Sequence, residues 1–321
     1  MAPLDLAGRR VLVTGGAGFI GSHLVDALVE GGARVRVLDN LATGRAANLA
    51  HHGGAVELVE DDLRDPDACR AACAGVDLVF HQAALGSVPR SLEDPATTVA
   101  VNVGGTANLF AAARDAGVSR VVYASSSSVY GDSPKLPKRE GEEGSPLSPY
   151  AASKTMDEEL GRVFAACFAL EPIGLRYFNV YGPRQDPAGP YAAVVPRFFA
   201  ASLAGQAPHV DGDGEQSRDF TYVADAVAAN LAAAGAPATA AGRAYNVAAG
   251  RRITVNELAA AIARLVVGAP PPVHGPPRPG DVRHSLADLT AAGEALGYRP
   301  RVTLEEGLER SVEYYRGRFA G

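Results

Sequence analysis

Tyr150 and Lys154 are the residues of this chain best suited to do chemistry. Spaced i,i+4, they share one face of a helix, about a turn apart. A free phenol loses its proton at about pH 10, and an ammonium held beside it favours the phenolate. Such a pair can serve as an acid/base unit near neutral pH. The spacing alone is common, so the surrounding elements must carry the argument. One compositional fact singles out the lysine. The chain has 30 Lys plus Arg, yet Lys stands only at 135, 138 and 154. Where arginine serves nearly everywhere else, a retained lysine supplies a compact ammonium that couples readily to titration.

The elements that would place this pair begin at the N-terminus. Residues 10–14 read as a short buried strand, with Val11, Leu12 and Val13 in a row. Gly15, Gly18 and Gly21 follow, then a helical pattern through Glu30. Strand, glycine turn and helix together make a phosphate site. The glycines let backbone approach a pyrophosphate, and the helix N-terminus offers free N–H groups. A second strand over 35–38 ends at Asp39. That position, about 20 residues past the turn, suits a carboxylate that takes the ribose hydroxyls of NAD and repels a 2′-phosphate. Arg45 nearby leaves NADP open. Further strands are expected over 56–59, 76–81, 119–124 and 173–177, with helices over 65–74, 102–116 and 150–170. Six strands with intervening helices imply an α/β chain built on a doubly wound parallel Rossmann sheet. Ligands of such sheets bind beyond the strand C-termini. The glycine turn, Asp39, Asp62, Gln82 and the four serines at 125–128 all follow such ends. A hydroxyl of that serine run could bond a reacting oxygen beside Tyr150.

After Tyr177 proline and glycine become dense, which marks a smaller, loop-rich C-terminal substrate domain. The expected division is 1–178 for the NAD-binding domain and 179–321 for the second, with segments around 216–250 packing back on the first. Helices are expected over 194–203, 225–234, 255–267 and 304–315, and a strand over 218–223. Arg218, Arg278 and Arg283 are candidate phosphate forks. Asp211, Asp213 and Glu215 lack the rest of a calcium loop, and the histidines at 51, 52, 81 and 284 lack zinc-ligand spacing, so no metal is expected. A net charge of −6 with no basic stripe argues against nucleic acid as a partner. Cys69 and Cys73, four apart, read either as a redox or metal pair or as small residues of an alanine-rich helix. The three cysteines fit a reducing compartment. No apolar run is long enough to span a bilayer, and the first residues show no leader pattern, so a cytoplasmic protein free of membrane is expected.

In combination, the glycine turn, Asp39, the serine run and Tyr150/Lys154 resemble the extended short-chain dehydrogenase/reductase family. The resemblance runs from about residue 10 to the C-terminus. Within that family the chain looks most like the UDP-hexose 4-epimerases, and closest to the UDP-N-acetylglucosamine 4-epimerase branch. The more specific stretches are 81–91 (His-Gln-Ala-Ala-Leu-Gly-Ser-Val-Pro-Arg-Ser), 176–187 (Arg-Tyr-Phe-Asn-Val-Tyr-Gly-Pro-Arg-Gln-Asp-Pro) and 278–285 (Arg-Pro-Gly-Asp-Val-Arg-His-Ser). The resemblance implies Ser126, Tyr150 and Lys154 as the catalytic set, with Tyr150 the base. It implies NAD contacts from Gly15, Gly18, Phe19, Ile20, Gly21, Asp39, Asn40, Asp62, Leu63, Gln82, Ala83, Ala84, Asn102, Tyr150, Lys154 and Tyr177. Around the substrate it implies Gly86, Ser87, Ser126, Ser127, Ser128, Tyr150, Gln185, Ala193 and Val195 near the sugar. Asn179, Arg218 and Arg278 would hold the nucleotide diphosphate, and Asp281 the nucleoside. Ser285 matches a gatekeeper position, where a small side chain admits an N-acetyl group. His209 stands where the family suggests an aromatic ring near the uracil.

The activity so implied is C4 epimerisation of a UDP-sugar through a transient 4-keto sugar, with NAD regenerated in each cycle. The N-acetylated pair UDP-GlcNAc/UDP-GalNAc is favoured, with UDP-Glc/UDP-Gal also open. Relatives with dehydratase or decarboxylase chemistry are the first alternative. Elimination needs an acid and a base beside the Ser/Thr, and here Ser127 and Ser128 are the neighbours. A glucuronate-type 4-epimerase and a non-catalytic NAD sensor also remain. Family members often pair through helices matching 102–116 and 150–170, which implies a homodimer.

Overall fold

The computed structural model describes residues 4–188, 192–277 and 282–319. Arg278 and Asp281, expected at the diphosphate and nucleoside, lie outside the described residues.

Val11, Leu12 and Val13 are at most 1% exposed. Such a continuous apolar run suits a parallel strand covered on both faces. In chain order the first half comprises β1 (Arg10–Thr14), α1 (Phe19–Glu30), β2 (Arg34–Leu38), β3 (Val56–Val59), α2 (Pro66–Cys73), β4 (Leu78–His81), α3 (Val88–Glu93), α4 (Pro95–Val99), α5 (Gly105–Asp115), β5 (Arg120–Ser126), α6 (Pro149–Cys167) and β6 (Glu171–Tyr177). The rest comprises β7 (Val180–Tyr181), α7 (Val194–Leu203), β8 (His209–Asp211), β9 (Ser217–Asp219), β10 (Thr221–Tyr222), α8 (Val223–Ala234), β11 (Arg243–Val247), β12 (Arg252–Thr254), α9 (Val255–Leu265), β13 (Val273–Gly275), α10 (Thr290–Ala295) and α11 (Leu304–Phe319).

The central sheet has seven strands in the order β11-β6-β5-β4-β1-β2-β3. All of its pairings are parallel. The six expected strands are therefore one short. The seventh, β11, carries Arg243 and the buried Asn246 and so lacks an unbroken apolar run. The chain winds outward through β1, β2 and β3, then crosses to β4 on the other side of β1. That reversal is a topological switch point, where ligands of open α/β sheets bind.

Side chains alternate across the sheet with period two. Val11 and Val13 join Leu24 and Leu28 of α1 and Val227 and Ala233 of α8. Leu12 and Val121 point the other way, toward Phe110 of α5 and both Cys69 and Cys73 of α2. The two thiols are core residues. Burial pushes each up to about 12, and Cys69 donates to the Leu63 carbonyl.

A separate core joins Phe198 and Phe199 of α7, Leu258 and Ile262 of α9, Leu308 and Tyr315 of α11, and Tyr181 and Phe220. The second half of the chain does not all belong to it, because α8, β11 and α10 contribute to the sheet core. The single strand expected over 218–223 is two short strands, β9 and β10, with different partners.

Helix α6 packs on β5 and β6. Gly161 permits the approach: a Cβ there would lie 2.6 Å from the Tyr123 hydroxyl oxygen. Gly161→Ala should therefore overpack this seam and cost about 1–3 kcal/mol, read as a lower midpoint in thermal unfolding. An unchanged midpoint would show that the seam has slack.

Candidate active site

The glycine turn is held from two sides. A Cβ on Gly21 would fall 2.1 Å from the Gly15 carbonyl oxygen, so only glycine lets the start of α1 close over the turn. Asp39, at the end of β2, accepts the Ala17 and Leu41 N–H groups, each at 2.9 Å. Burial pushes its carboxyl above the ordinary range, and those two N–H groups oppose the shift. Asp62 is drawn well below the usual carboxylate range by Arg64, against burial, and also accepts from Asn40 at 2.9 Å. Arg45 is paired with Asp186 at 2.5 Å. The cation that left NADP open in the sequence is thus charge-compensated.

Above the strand ends lies a cavity of about 730 Å³, within the range of ligand sites. Gly15, Gly18, Phe19, Ile20 and Gly21 line it at one end, with Asp39, Asn40, Asp62 and Leu63. Gln82, Ala83, Ala84, Tyr150, Lys154 and Tyr177 line it further along. A second cavity, of about 330 Å³, is lined by Ser87, Ala193, Val195, Arg218 and His209. Gly86, Asn179, Val180 and Gln185 border both. One continuous site therefore runs from the glycine turn past Tyr150 to the loop-rich half.

Ser148 and Pro149 decide where α6 begins. The Ser148 hydroxyl accepts from Ala151 N–H at 3.1 Å, and proline occupies the first turn. Tyr150 therefore stands in the first turn, at the cavity. A Cβ on Gly86 would come 4.0 Å from its hydroxyl, which shows how closely the 83–86 loop passes. Lys154, only 2% exposed, donates to the Ala124 carbonyl at 3.0 Å and to Asp157 at 3.1 Å.

The serine run divides by direction. Ser125, Ser126 and Ser127 are on the cavity wall. The Ser126 hydroxyl accepts from Ser128 N–H at 3.1 Å. Ser125 donates to Glu158 at 2.5 Å, fastening β5 to α6. Ser128, expected near the sugar, is not on either wall, and its hydroxyl is buried without a partner among the described residues. Asn102 also sits behind the wall. It accepts from Leu85 N–H at 2.8 Å and donates to Ser153 at 3.0 Å, so it braces the 83–86 loop against α6. Ser285 lines neither cavity; its N–H bonds the Ser217 carbonyl at 3.0 Å, beside Arg218.

Three residues form a closed triangle near the cofactor end. Tyr177 donates to Gln82 at 3.0 Å, Gln82 to Asn230 at 3.0 Å, and Asn230 to Tyr177 at 2.7 Å. Burial pushes Tyr177 up to about 12, so it serves as a neutral phenol. Asn230 was missed in the sequence, although a lone amide in the apolar helix α8 was a visible signal. Asn179 adopts φ 32°, a region that disfavours residues other than glycine. Strain of this kind gathers at functional sites.

Asp211, Asp213 and Glu215 do not gather: Asp211 pairs with His209 and Asp213 with Arg283. One group with metal-ligand chemistry was not foreseen. Asp26, His51 and His52 bring their ligand atoms within 4.8 Å of one another. The second Asp26 oxygen is engaged by Arg184 at 2.8 Å. No helix among the described residues is long and apolar enough to cross a membrane.

Residues 11–248 match the family model described as the NAD dependent epimerase/dehydratase family. The chain is 44% identical over 313 residues to the UDP-glucose 4-epimerase of Mycolicibacterium smegmatis, covering 96% of this chain and 99% of that protein. The UDP-glucose 4-epimerase of Thermotoga maritima, solved with UDP-glucose, superposes with a TM-score of 0.91 at 40% identity, over 96% of this chain and 99% of that one. The UDP-N-acetylglucosamine 4-epimerase of Methanobrevibacter ruminantium M1, solved with UDP-N-acetylmuramic acid, superposes with a TM-score of 0.93 at 39% identity, over 98% and 100%.

Proposed function

Because this chain belongs to the NAD dependent epimerase/dehydratase family, we propose that it is a UDP-hexose 4-epimerase that favours UDP-GlcNAc and UDP-GalNAc and also turns over UDP-Glc and UDP-Gal. The observation that carries this reading is the convergence of Ser126, Tyr150 and Lys154 on the wall of one cavity whose other end is the glycine turn. NAD fits the first cavity: the turn at Gly21 has no room for a side chain, and Asp39 closes the end of β2. Bound there, the cofactor supplies reversible hydride acceptance at the sugar C4.

The protein's own groups do the rest. Tyr150 takes the proton of the C4 hydroxyl as hydride leaves C4, and gives it back to the same oxygen as hydride returns to the opposite face of C4. Ser126 holds the same oxygen by a hydrogen bond. Lys154 has already committed protons to Ala124 and Asp157, which leaves one donor for the cavity side. Its ammonium is carried one helical turn from Tyr150 on the same face of α6. Arg218, on the second wall, holds diphosphate. Between the two proton transfers the 4-keto sugar must turn over, so the anchoring belongs on the diphosphate and not on the ring. Beside Ser126 stand Ser127 and Ser128, with no carboxylate to drive elimination.

Two helices packed against α6, α3 and α4, expose Leu92 and Val99, α6 itself exposes Met156 and Val163, and Phe168 just past its end is exposed too. This apolar layer supports a homodimer through α6. Met156→Glu with Val163→Glu should shift the mass measured by light scattering from dimer to monomer; a wild-type monomer would sink the assignment.

Purified protein, incubated without added NAD, should interconvert UDP-GlcNAc and UDP-GalNAc, with slower exchange of UDP-Glc and UDP-Gal, followed by the anomeric protons in NMR. Tyr150→Phe should lower turnover by about 100-fold or more. Absence of inversion of either sugar, with or without NAD, would overturn the reading. Ser285→Tyr should depress activity on the N-acetylated sugar far more than on the plain hexose. An equal effect on both would remove Ser285 from substrate selection.

A further inference from the structure

Behind the cavity face of α6 lies a buried ion pair, of which the chemistry above uses only the lysine. Lys154 is 2% exposed and Asp157, about one turn along the helix, 1%. Their charged atoms stand 3.1 Å apart. The other Asp157 oxygen is buried and finds no hydrogen-bond partner among the described residues. Burial pushes the Asp157 carboxyl up, and the Lys154 ammonium opposes that shift.

Among the described residues no other carboxylate pairs with the ammonium. His81 on β4 is neutral, brought down to about 3 by burial and then by the charge of Lys154. Both its ring nitrogens are engaged, by the Thr14 and Thr106 hydroxyls at 2.7 and 2.9 Å. Tyr123 on β5 stays protonated, because burial and then Glu158 and Asp157 raise it. Tyr130, after β5, is raised mainly by burial. Glu158 is committed to Arg176 of β6, and Glu159 to Arg162. On α3 and its boundary with α4, Arg90 is half-buried, while Glu93 and Asp94 are exposed.

We propose that Asp157 is a positioning residue of the proton-transfer pair: it holds Lys154 against Ala124 and cancels part of its field, which places the pH window in which Tyr150 exchanges its proton. This rests on the reading of Tyr150 and Lys154 given above. The sign is fixed by electrostatics. Removing a negative charge favours the deprotonated form of every ionisable group beside it. Both limbs of the activity profile should therefore move together, toward lower pH.

Asp157→Asn keeps the shape and an acceptor for Lys154 but removes the charge. Both limbs of kcat against pH should shift down by about one unit, whereas Asp157→Glu, which keeps the charge, should leave them in place. Asp157→Ser supplies a second neutral side chain in case the amide misfolds. The shift can also be read without turnover, as the near-ultraviolet tyrosinate absorbance of the holoenzyme that Tyr150→Phe removes, titrated with and without the Asp157 carboxylate. A folded neutral variant whose limbs and absorbance titration stay put, with turnover lowered evenly at every pH, would make Asp157 merely structural and end the proposal. Failure of the wild type to invert any UDP-hexose would remove the functional reading instead, and the absorbance titration would still decide the role of Asp157.

Discussion

The site depends on how α6 is seated against the C-terminal end of β5. Lys154 donates to the Ala124 carbonyl, and Ser125 donates to Glu158 at the middle of the helix. Gly161 lets the helix lie on Tyr123. These contacts fix both the distance and the rotation of α6, so Tyr150 meets the cavity and Asp157 the interior. The Lys154–Asp157 pair is almost fully buried, and breaking such a pair by removing one partner costs about 3–5 kcal/mol. A charge kept at that cost stays where its helix puts it, and the neighbouring phenol inherits the same fixed geometry.

The loop-rich half is held by a different device. Its irregular backbone has donors that no strand partner satisfies, and two buried carboxylates take them. Asp219 accepts the N–H groups of Ala249, Gly250 and Ala287 at 3.0, 3.1 and 3.2 Å. Burial pushes it up to about 6 even so. Asp225 accepts those of Arg301 and Val302 at 2.9 and 3.1 Å. Asp219 adjoins Arg218, and Ala287 is two residues past Ser285. The wall of the second cavity is thereby tied to β9 without any long strand.

Much of this was legible in the sequence where local pattern and tertiary role agree. The run Val11–Leu12–Val13 and the three glycines are dictated by short-range needs, and β1, the turn and α1 form where they were expected. Legibility failed where a residue acts across the chain. The i,i+3 spacing of Lys154 and Asp157 is a local signal, but that the pair faces inward is not, because an acidic residue on a helix ordinarily faces water. Strand β11 has too short an apolar run to stand out, since Asn246 spends its amide on Tyr130, Lys138 and Asp288. The serine run showed that hydroxyls gather at the end of β5, but not which would face inward. That depends on the turn through 127–130, where Ser126 takes the Ser128 N–H.

The two cavities differ in what their walls can hold still. Around the first, the glycine turn, Asp39 and the Gln82–Tyr177–Asn230 triangle are all locked by short hydrogen bonds. The border between the cavities is built otherwise. Gly86 has no side chain, Asn179 holds a strained backbone, and one Gln185 side-chain oxygen is buried without a partner among the described residues. Unspent polar capacity and open space lie together where a sugar ring would have to rotate, while fixed charge stands at either side. A reaction that needs both faces of one carbon requires that contrast. Tight binding along the whole length would hold the ring in one orientation and stabilise its ground state as much as its transition state.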